Sequence, residues 1–279
     1  MRNLMTASSI FYSSDQSSLF SSHRIHFAQT CALGGVSPEP YASCNIAYHV
    51  GDNPESVHAN RSQILQHFDN KPLLWCNQIH STILADSTSD LLALLHGEAK
   101  ADGIICADSS YVALIMVADC NPILLYDPRE QIFALLHAGR AGVCERILTQ
   151  AVKALRARGA NPANMLVFIG SSIRSCCYEI GQNLCGEIAR DFGEHYIKTQ
   201  ANASGNTHTL DMIAMLIDEC ESLGIARQNL EILDSCTSCD EHLFSYRRAC
   251  NMGARAGDLG FSCGCCELKS TFSLFALLI

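Results

Sequence analysis

The stretch VALIMVADCNPILLYDPREQIFALLHAGRAGV, residues 112–143, decides the class of the fold. It holds three apolar runs, Val112–Val117, Ile123–Tyr126 and Ile132–Leu136. Each is short and rich in branched aliphatic side chains, the pattern of strands buried on both faces. Asp127-Pro128 marks a turn between the second and third runs. Gly139 and Gly142 then flank a bend, and the pattern predicts a helix over Val143 to Arg158.

The same grammar extends outward. Strands are predicted at 73–79, Gly103–Cys106, Met165–Gly170 and Leu230–Leu233. Helices are predicted at Pro54–Phe68, with Asp52 as the cap, at Gln182–Phe192 and at Asp211–Leu223. Residues 199–207 read as a polar loop. Alternating strands and helices with a mostly buried sheet predict an α/β protein. No repeat or low-complexity linker offers a cut point, so one domain over 1–279 is expected.

Composition narrows the function. Hydrophobic residues make up 48% and charged residues 17%, which excludes a disordered chain. The net charge of −9 argues against nucleic acid or an anionic membrane as the main partner. The N-terminal stretch lacks an apolar signal core, and no run reaches transmembrane length. A reducing cytoplasm is expected, with most of the 16 cysteines acting as small buried hydrophobes. Cys176-Cys177 are neighbours, Cys236 and Cys239 form a CxxC, and Cys263 and Cys266 form another. The two CxxC pairs stand farther apart than a zinc ribbon usually allows. The apolar tail TFSLFALLI (271–279) is expected to pack.

Three polar residues end apolar strands. His80 follows LLWCNQI, Cys120 follows ALIMVAD, and His137 follows IFALL. Strand ends project to the rim of a sheet, where ligands bind. Two imidazoles and a thiolate match a catalytic zinc site with a fourth position left for water or substrate. Zinc there lowers the pKa of its water toward about 7. Asp119 is placed to orient a ligand or act as a base. The same residues also suit a second chemistry, with Cys120 as nucleophile and His137 as its base. Spacing alone leaves both open, beside the plainer reading of a core cysteine and two loop histidines.

Further segments carry a resemblance. They are CNIAYHVGDNPESVHANR (44–61), NQIHS (77–81), ADGIIC (101–106) with VADCNPILLYDP (117–128), LHAGRAGV (136–143), and IGSSIRSCCYEIG (169–181) with CTSCDEHLFSYRRACNMGAR (236–255). In order and spacing, from about residue 31 to 258, these resemble the YfiH-like family, also called laccase-domain or multicopper polyphenol oxidase proteins. The resemblance implies a mixed sheet layered with helices, a fold grouped with the cysteine-hydrolase domain of a bacterial toxin. It implies that His80, Cys120 and His137 are metal ligands, with zinc as the expected metal and copper as the alternative. It implies a purine nucleoside phosphorylase, acting on adenosine, inosine and methylthioadenosine with phosphate, that also deaminates adenosine. Editing of a peptidoglycan precursor by a Cys120 hydrolase and copper-dependent polyphenol oxidation are its other implied activities. A non-enzymatic member keeping a structural zinc is a further alternative. Laccase chemistry calls for paired HxH ligands, which the matched segments lack.

Asn45, Arg61, Arg247 and Arg248 are the candidates for contact with phosphate, since guanidinium grips phosphate bidentately. Tyr178 is a candidate contact for the base, and Ser245 and Thr237 for hydrogen bonds in the pocket. The chain departs from the family at four places. Arg140-Ala141 replaces Trp-Arg after "HAG", Ser81 replaces a glycine, Asn121 a valine, and Gly170-Ser171 a Gly-Pro. Arg140 is expected to stand in for the missing charge from a different angle.

Overall fold

The computed structural model describes residues 9–41, 43–202, 205–251 and 275–278. The three apolar runs do become strands, but they serve two different sheets. Asn121–Asp127 and Ile132–Ala138 form an antiparallel hairpin, with Asn121 opposite Ala138 and Asp127 opposite Ile132. This hairpin is the centre of a six-stranded sheet in the order 230–232, 166–169, 121–127, 132–138, 103–106, 84–86. Its outermost pairs are parallel and its inner pairs antiparallel, so the sheet is mixed. Val112–Val117 lies instead in a second sheet, in the order 10–13, 28–30, 275–278, 112–117, 73–75. The chain passes from one sheet to the other through Ala118, Asp119 and Cys120, and Asp119 makes that turn with φ of 90°.

The two-residue period of a strand sorts side chains between layers. Ile123, Leu125, Ile132, Ala134, Leu136, Val167 and Ile169 face a core shared with helices Ile147–Arg156 and Met212–Ser222. Their neighbours Leu124, Tyr126, Phe133, Leu135, Leu166 and Phe168 face the other way, onto Leu74, Ala113 and Ile115 of the second sheet. Val112, Leu114 and Met116 then face helix Pro54–Leu65. The layers therefore run helices, sheet, sheet, helix. Phe168 is fully buried between the sheets, stacked 5.7 Å from Tyr12 and with the tilted Phe27 ring at 4.5 Å. Truncation of such a residue to alanine costs about 3–5 kcal/mol.

Several predicted elements shift for identifiable reasons. The helix over Val143 to Arg158 is two, Arg140–Cys144 and Ile147–Arg156, because Arg146 adopts φ 65°, ψ 49° between them. That turn sets the Arg146 guanidinium over Phe192 at 4.8 Å and near Glu219 at 3.6 Å. Asn53, not Asp52, caps Pro54–Leu65 by accepting from the Glu55 amide at 2.8 Å. Asp52 instead accepts from Ser37 and Asn45 in the preceding loop. The strand expected at 73–79 runs only over Leu73–Trp75, followed by a single bridge of Asn77 to Lys100. The polar loop at 199–207 is a hairpin, Ile197–Asn202 with Gly205–Leu210; its surface position hid the alternation behind polar side chains on both faces. Phe275–Leu278 of the tail pairs with Val112–Val117. Among the described residues no helix is long and apolar enough to cross a membrane.

Candidate active site

The turn that carries the chain between the sheets brings Cys120 to the ends of two other segments. His137 is the penultimate residue of strand Ile132–Ala138, and His80 lies in the loop after Leu73–Trp75. The ligand atoms of His80, Cys120 and His137 lie within 4.8 Å of one another. The two imidazoles meet edge to face, with ring centroids 4.8 Å apart. His137 is buried and His80 exposed, so the group opens to solvent on the His80 side. Gly139 closes the inner side. A Cβ at this position would come to 3.0 Å from the Cys120 sulfur and 3.2 Å from His80 Cδ2, so any larger residue would press on two of the three donor side chains.

Asp102 organises the group, and the sequence reading passed over it. It precedes strand Gly103–Cys106 and is fully buried. Its Oδ1 accepts from His137 Nδ1 at 2.8 Å and from the His80 amide at 3.0 Å. Its Oδ2 accepts from the amides of Ile79 and Ser81 at 3.2 and 2.6 Å and from the Ser81 hydroxyl at 2.8 Å. These bonds hold His80 at φ 59°, in the left-handed region that few residues other than glycine adopt. They also assign a proton to Nδ1 of His137 and direct Nε2 toward Cys120, the usual arrangement of a carboxylate behind a metal-binding histidine. The signal was present in the sequence as the acid of Ala101-Asp102-Gly103, one strand away from His137.

The charges agree with this geometry. Burial alone would raise the Asp102 carboxyl, but the hydrogen bonds from His137 and Ser81 hold it down at about 2. Burial would likewise raise the Cys120 thiol, yet His137 and His80 bring it to about 6. Burial opposes the charged form of His137, but the Cys120 thiolate and Asp102 push the imidazole up to about 9. Without a metal, Cys120 and His137 are therefore a thiolate–imidazolium pair near neutral pH. With a metal, the same atoms supply one sulfur and two nitrogens, the donor set of a three-ligand zinc centre.

The other predicted residues fall into two groups. Tyr178 and Arg247 stand at this site. The Tyr178 hydroxyl is pushed up by burial and senses Arg140, Cys120 and Arg247, and the Arg247 guanidinium lies 5.3 Å from the Tyr178 ring. Arg247 also donates to the carbonyls of Cys177 and Glu179 at 3.2 and 3.1 Å. Asp119 is not placed to act as a base. Its two oxygens accept from the Thr237 hydroxyl at 2.6 Å and the Arg247 amide at 2.7 Å, which anchors the 237–247 segment beside Cys120.

The remaining candidates hold the scaffold. Asn45 is buried and bonds Asp52 and the Ala47 backbone. Arg61 donates to the Ile46 carbonyl at 2.7 Å and lies between Tyr48 and Trp75, at 4.5 and 4.4 Å from their rings. Arg248 is tied to the carbonyls of Thr237, Asp240 and Leu243, and Ser245 accepts from the Arg248 amide. Arg140, by contrast, is exposed, in the first position of the helix that follows Gly139. Two departures from the family pattern also find partners. Ser81 donates to Asp102, and Asn121 bonds the Ala138 carbonyl and Ser172.

Residues 26–261 match the family model described as multi-copper polyphenol oxidoreductase laccase. A purine nucleoside phosphorylase of Corynebacterium glutamicum is 33% identical over 233 residues, covering 82% of this chain and 91% of that protein. The purine nucleoside phosphorylase YfiH of Escherichia coli is 29% identical, covering 80% and 88%. Among solved structures, the hypothetical protein YfiH of Bacillus licheniformis superposes with a TM-score of 0.76 at 24% identity, covering 91% of both chains. YlmD of Geobacillus stearothermophilus gives 0.74 at 24% identity, covering 90% of both.

Proposed function

The chain belongs to the multi-copper polyphenol oxidoreductase laccase family, and on that premise we propose that it is a zinc-dependent purine nucleoside phosphorylase. Its substrates are adenosine, inosine or methylthioadenosine with inorganic phosphate, and it also deaminates adenosine. The observation that carries this reading is the convergence of His80, Cys120 and His137 on one point with Asp102 behind them, in a chain 33% identical to a protein named for that activity. One thiolate and two imidazoles with their donor atoms within 4.8 Å of one another fit a metal ion.

When bound, zinc supplies Lewis acidity for charge developing on the purine and for the water needed in deamination. The protein's own residues do the rest. Asp102 keeps the Nδ1 proton on His137 and fixes the loop of His80 through three backbone amides. Arg140, exposed beside the group, offers its guanidinium to phosphate. Tyr178 stays protonated at neutral pH, because burial raises its hydroxyl, and so keeps a donor for a purine nitrogen or ribose oxygen. Asp119, Thr237 and the Arg247 amide hold the wall in place. Multi-copper oxidase chemistry does not suit the donors. Among the described residues two groups gather three or more metal-binding side chains, one with two imidazoles and one with none.

The test is phosphate-dependent release of hypoxanthine from inosine by zinc-loaded protein, with ammonia release from adenosine assayed alongside. Full zinc occupancy with neither product rejects the proposal. One observation favours a second reading. Cys120, His137 and Asp102 also form a nucleophile, base and orienting acid, as hydrolysis of a peptidoglycan precursor through Cys120 would need. Activity that survives chelation and is abolished by a thiol alkylator selects that reading; loss on chelation selects the first.

A further inference from the structure

The CxxC of Cys236 and Cys239 has a partner, and it is not the second CxxC. Cys263 and Cys266 lie outside the described residues. The partner is Cys176-Cys177, distant in sequence and adjacent in space. The four sulfurs lie within 4.8 Å of one another. Cys239 is 3.8 Å from Cys176 and 3.3 Å from Cys177. Four thiolates at about 2.3 Å from a tetrahedral zinc stand about 3.8 Å apart, whereas a disulfide brings two sulfurs to about 2.05 Å.

The backbone around Cys236 is arranged for a thiolate. Residues 175–177 form a turn in which the amides of Cys177 and Tyr178 both donate to the Arg174 carbonyl at 2.9 Å, turning two neighbouring side chains toward one point. In the other loop the amides of Cys239 and Asp240 donate to the Cys236 carbonyl at 3.1 and 3.0 Å. The amide of Arg174 donates to the Cys236 sulfur at 3.4 Å, and those of Cys239 and Ser238 face the same atom. Amides directed at sulfur stabilise a thiolate ligand.

Charge is compensated nearby. A divalent ion on four thiolates leaves about two negative charges. Arg174 lies within electrostatic reach of Cys236 and Cys176, and its buried Nη1 has no hydrogen-bond partner among the described residues. Lys198 reaches the same turn through Ser175 at 2.7 Å, but its charge is paired with Asp211 at 2.8 Å, which leaves Arg174 as the compensating cation.

We propose that Cys176, Cys177, Cys236 and Cys239 form a second, structural zinc site. It clips the 170–178 loop to the 234–245 loop, continuing the bridge that pairs Ser172 with Cys236. The residue after Cys236 is Thr237, which donates to Asp119 next to Cys120. The clip thereby fixes one wall of the active site without contacting substrate. It stands independently of which reaction Cys120 carries out.

The test is zinc content and zinc X-ray absorption on the full-length protein purified in reductant. Wild type is expected to hold about two zinc ions per chain, and Cys120→Ala and Cys239→Ser about one each. The Cys120→Ala spectrum should show only sulfur in the first shell, at about 2.3 Å. Cys239 is exposed, which favours a folded variant. Should Cys239→Ser fail to fold, the Cys120→Ala spectrum decides alone. A folded Cys120→Ala protein without zinc, or with a nitrogen and oxygen shell, overturns the proposal. So does a Cys177–Cys239 disulfide in the reductant-purified wild type, found by mass.

Discussion

Replacing Asp102 with asparagine tests the architecture of the active site at its most sensitive point. The carboxylate accepts five hydrogen bonds, at 3.2, 3.0, 2.6, 2.8 and 2.8 Å, and is fully buried. Asparagine keeps one acceptor oxygen and turns the other into a donor. With the oxygen left at the Oδ2 position, it still serves Ile79 and Ser81. The amide nitrogen then faces the His80 N–H, donor against donor, and forces His137 Nδ1 to accept. A stranded buried amide costs about 1–3 kcal/mol. Switching the His137 tautomer puts a proton on Nε2, the atom needed for a metal. Loss of such a supporting carboxylate lowers metal affinity about 10–100-fold, or about 1.4–2.7 kcal/mol. Zinc titration against a competing chelator, with denaturant unfolding of the metal-free protein, measures both. Ser81→Ala is the control: it removes one hydroxyl bond at the same carboxylate, so it should cost about 1 kcal/mol of stability and leave zinc affinity nearly unchanged. An Asp102→Asn protein that binds zinc as tightly as wild type refutes the assignment of Asp102.

Three further outcomes follow from named contacts. Gly139→Ala should keep the fold but weaken zinc binding by about 5- to 150-fold, because its Cβ meets Cys120 at 3.0 Å and His80 at 3.2 Å, a crowding worth about 1–3 kcal/mol; the chelator titration reads it. Arg140→Ala should raise the KM for phosphate about tenfold with little change in the KM for inosine, whereas Arg61→Ala should leave the phosphate KM alone and lower stability by about 2–3 kcal/mol as its stack with Tyr48 and Trp75 is lost. In metal-free protein, alkylation of Cys120 should stay fast down to about pH 6 and fall below it, since its thiol is held there by His137 and His80; an ordinary thiol slows below about 8.5.

The buried hairpin and the three donor residues were legible because strand period and strand ends are local signals. The division into two sheets was not. Val112–Val117 and Asn121–Asp127 have the same apolar texture, and the turn at Asp119 that separates them carries no glycine to mark it. Asp102 was hidden for a different reason. It stands 35 residues from His137, and only the antiparallel pairing of Gly103 with Leu136 brings it alongside. The arginines show the limit of residue type as a guide. Arg61 and Arg248 have the right chemistry for phosphate, but backbone carbonyls take up their donors, and only packing distinguishes them from exposed Arg140. The polar hairpin at Ile197–Leu210 and the pairing of Cys176-Cys177 with the first CxxC likewise depend on long-range register.

The two readings of Cys120 differ in where protons reside, and that difference can be counted. In the metal-free state the thiol sits at about 6 and His137 at about 9, so between these values the pair already holds a thiolate and an imidazolium. A zinc ligand set needs the thiolate and a neutral imidazole. Zinc binding at pH 7.5 should therefore release about one proton from this pair, from His137 and not from Cys120. Below about pH 6 the thiol is protonated as well, and the release should rise toward about two; above about 9 it should fall toward zero. Calorimetric titration of Cys239→Ser, which removes the four-cysteine clip, in buffers of different ionisation enthalpy gives the number directly. The count alone does not say which residue gives up the proton, because an unperturbed histidine and cysteine, near about 6.5 and about 8.5, release nearly the same number; the ultraviolet thiolate absorption of metal-free protein, compared with Cys120→Ala, assigns it. Thiolate absorption from Cys120 that persists down to about pH 6 supports the shared Cys120–His137–Asp102 frame, and sensitivity to chelation then decides which chemistry uses it; a Cys120 that becomes a thiolate only above about 8 removes the basis for the pair.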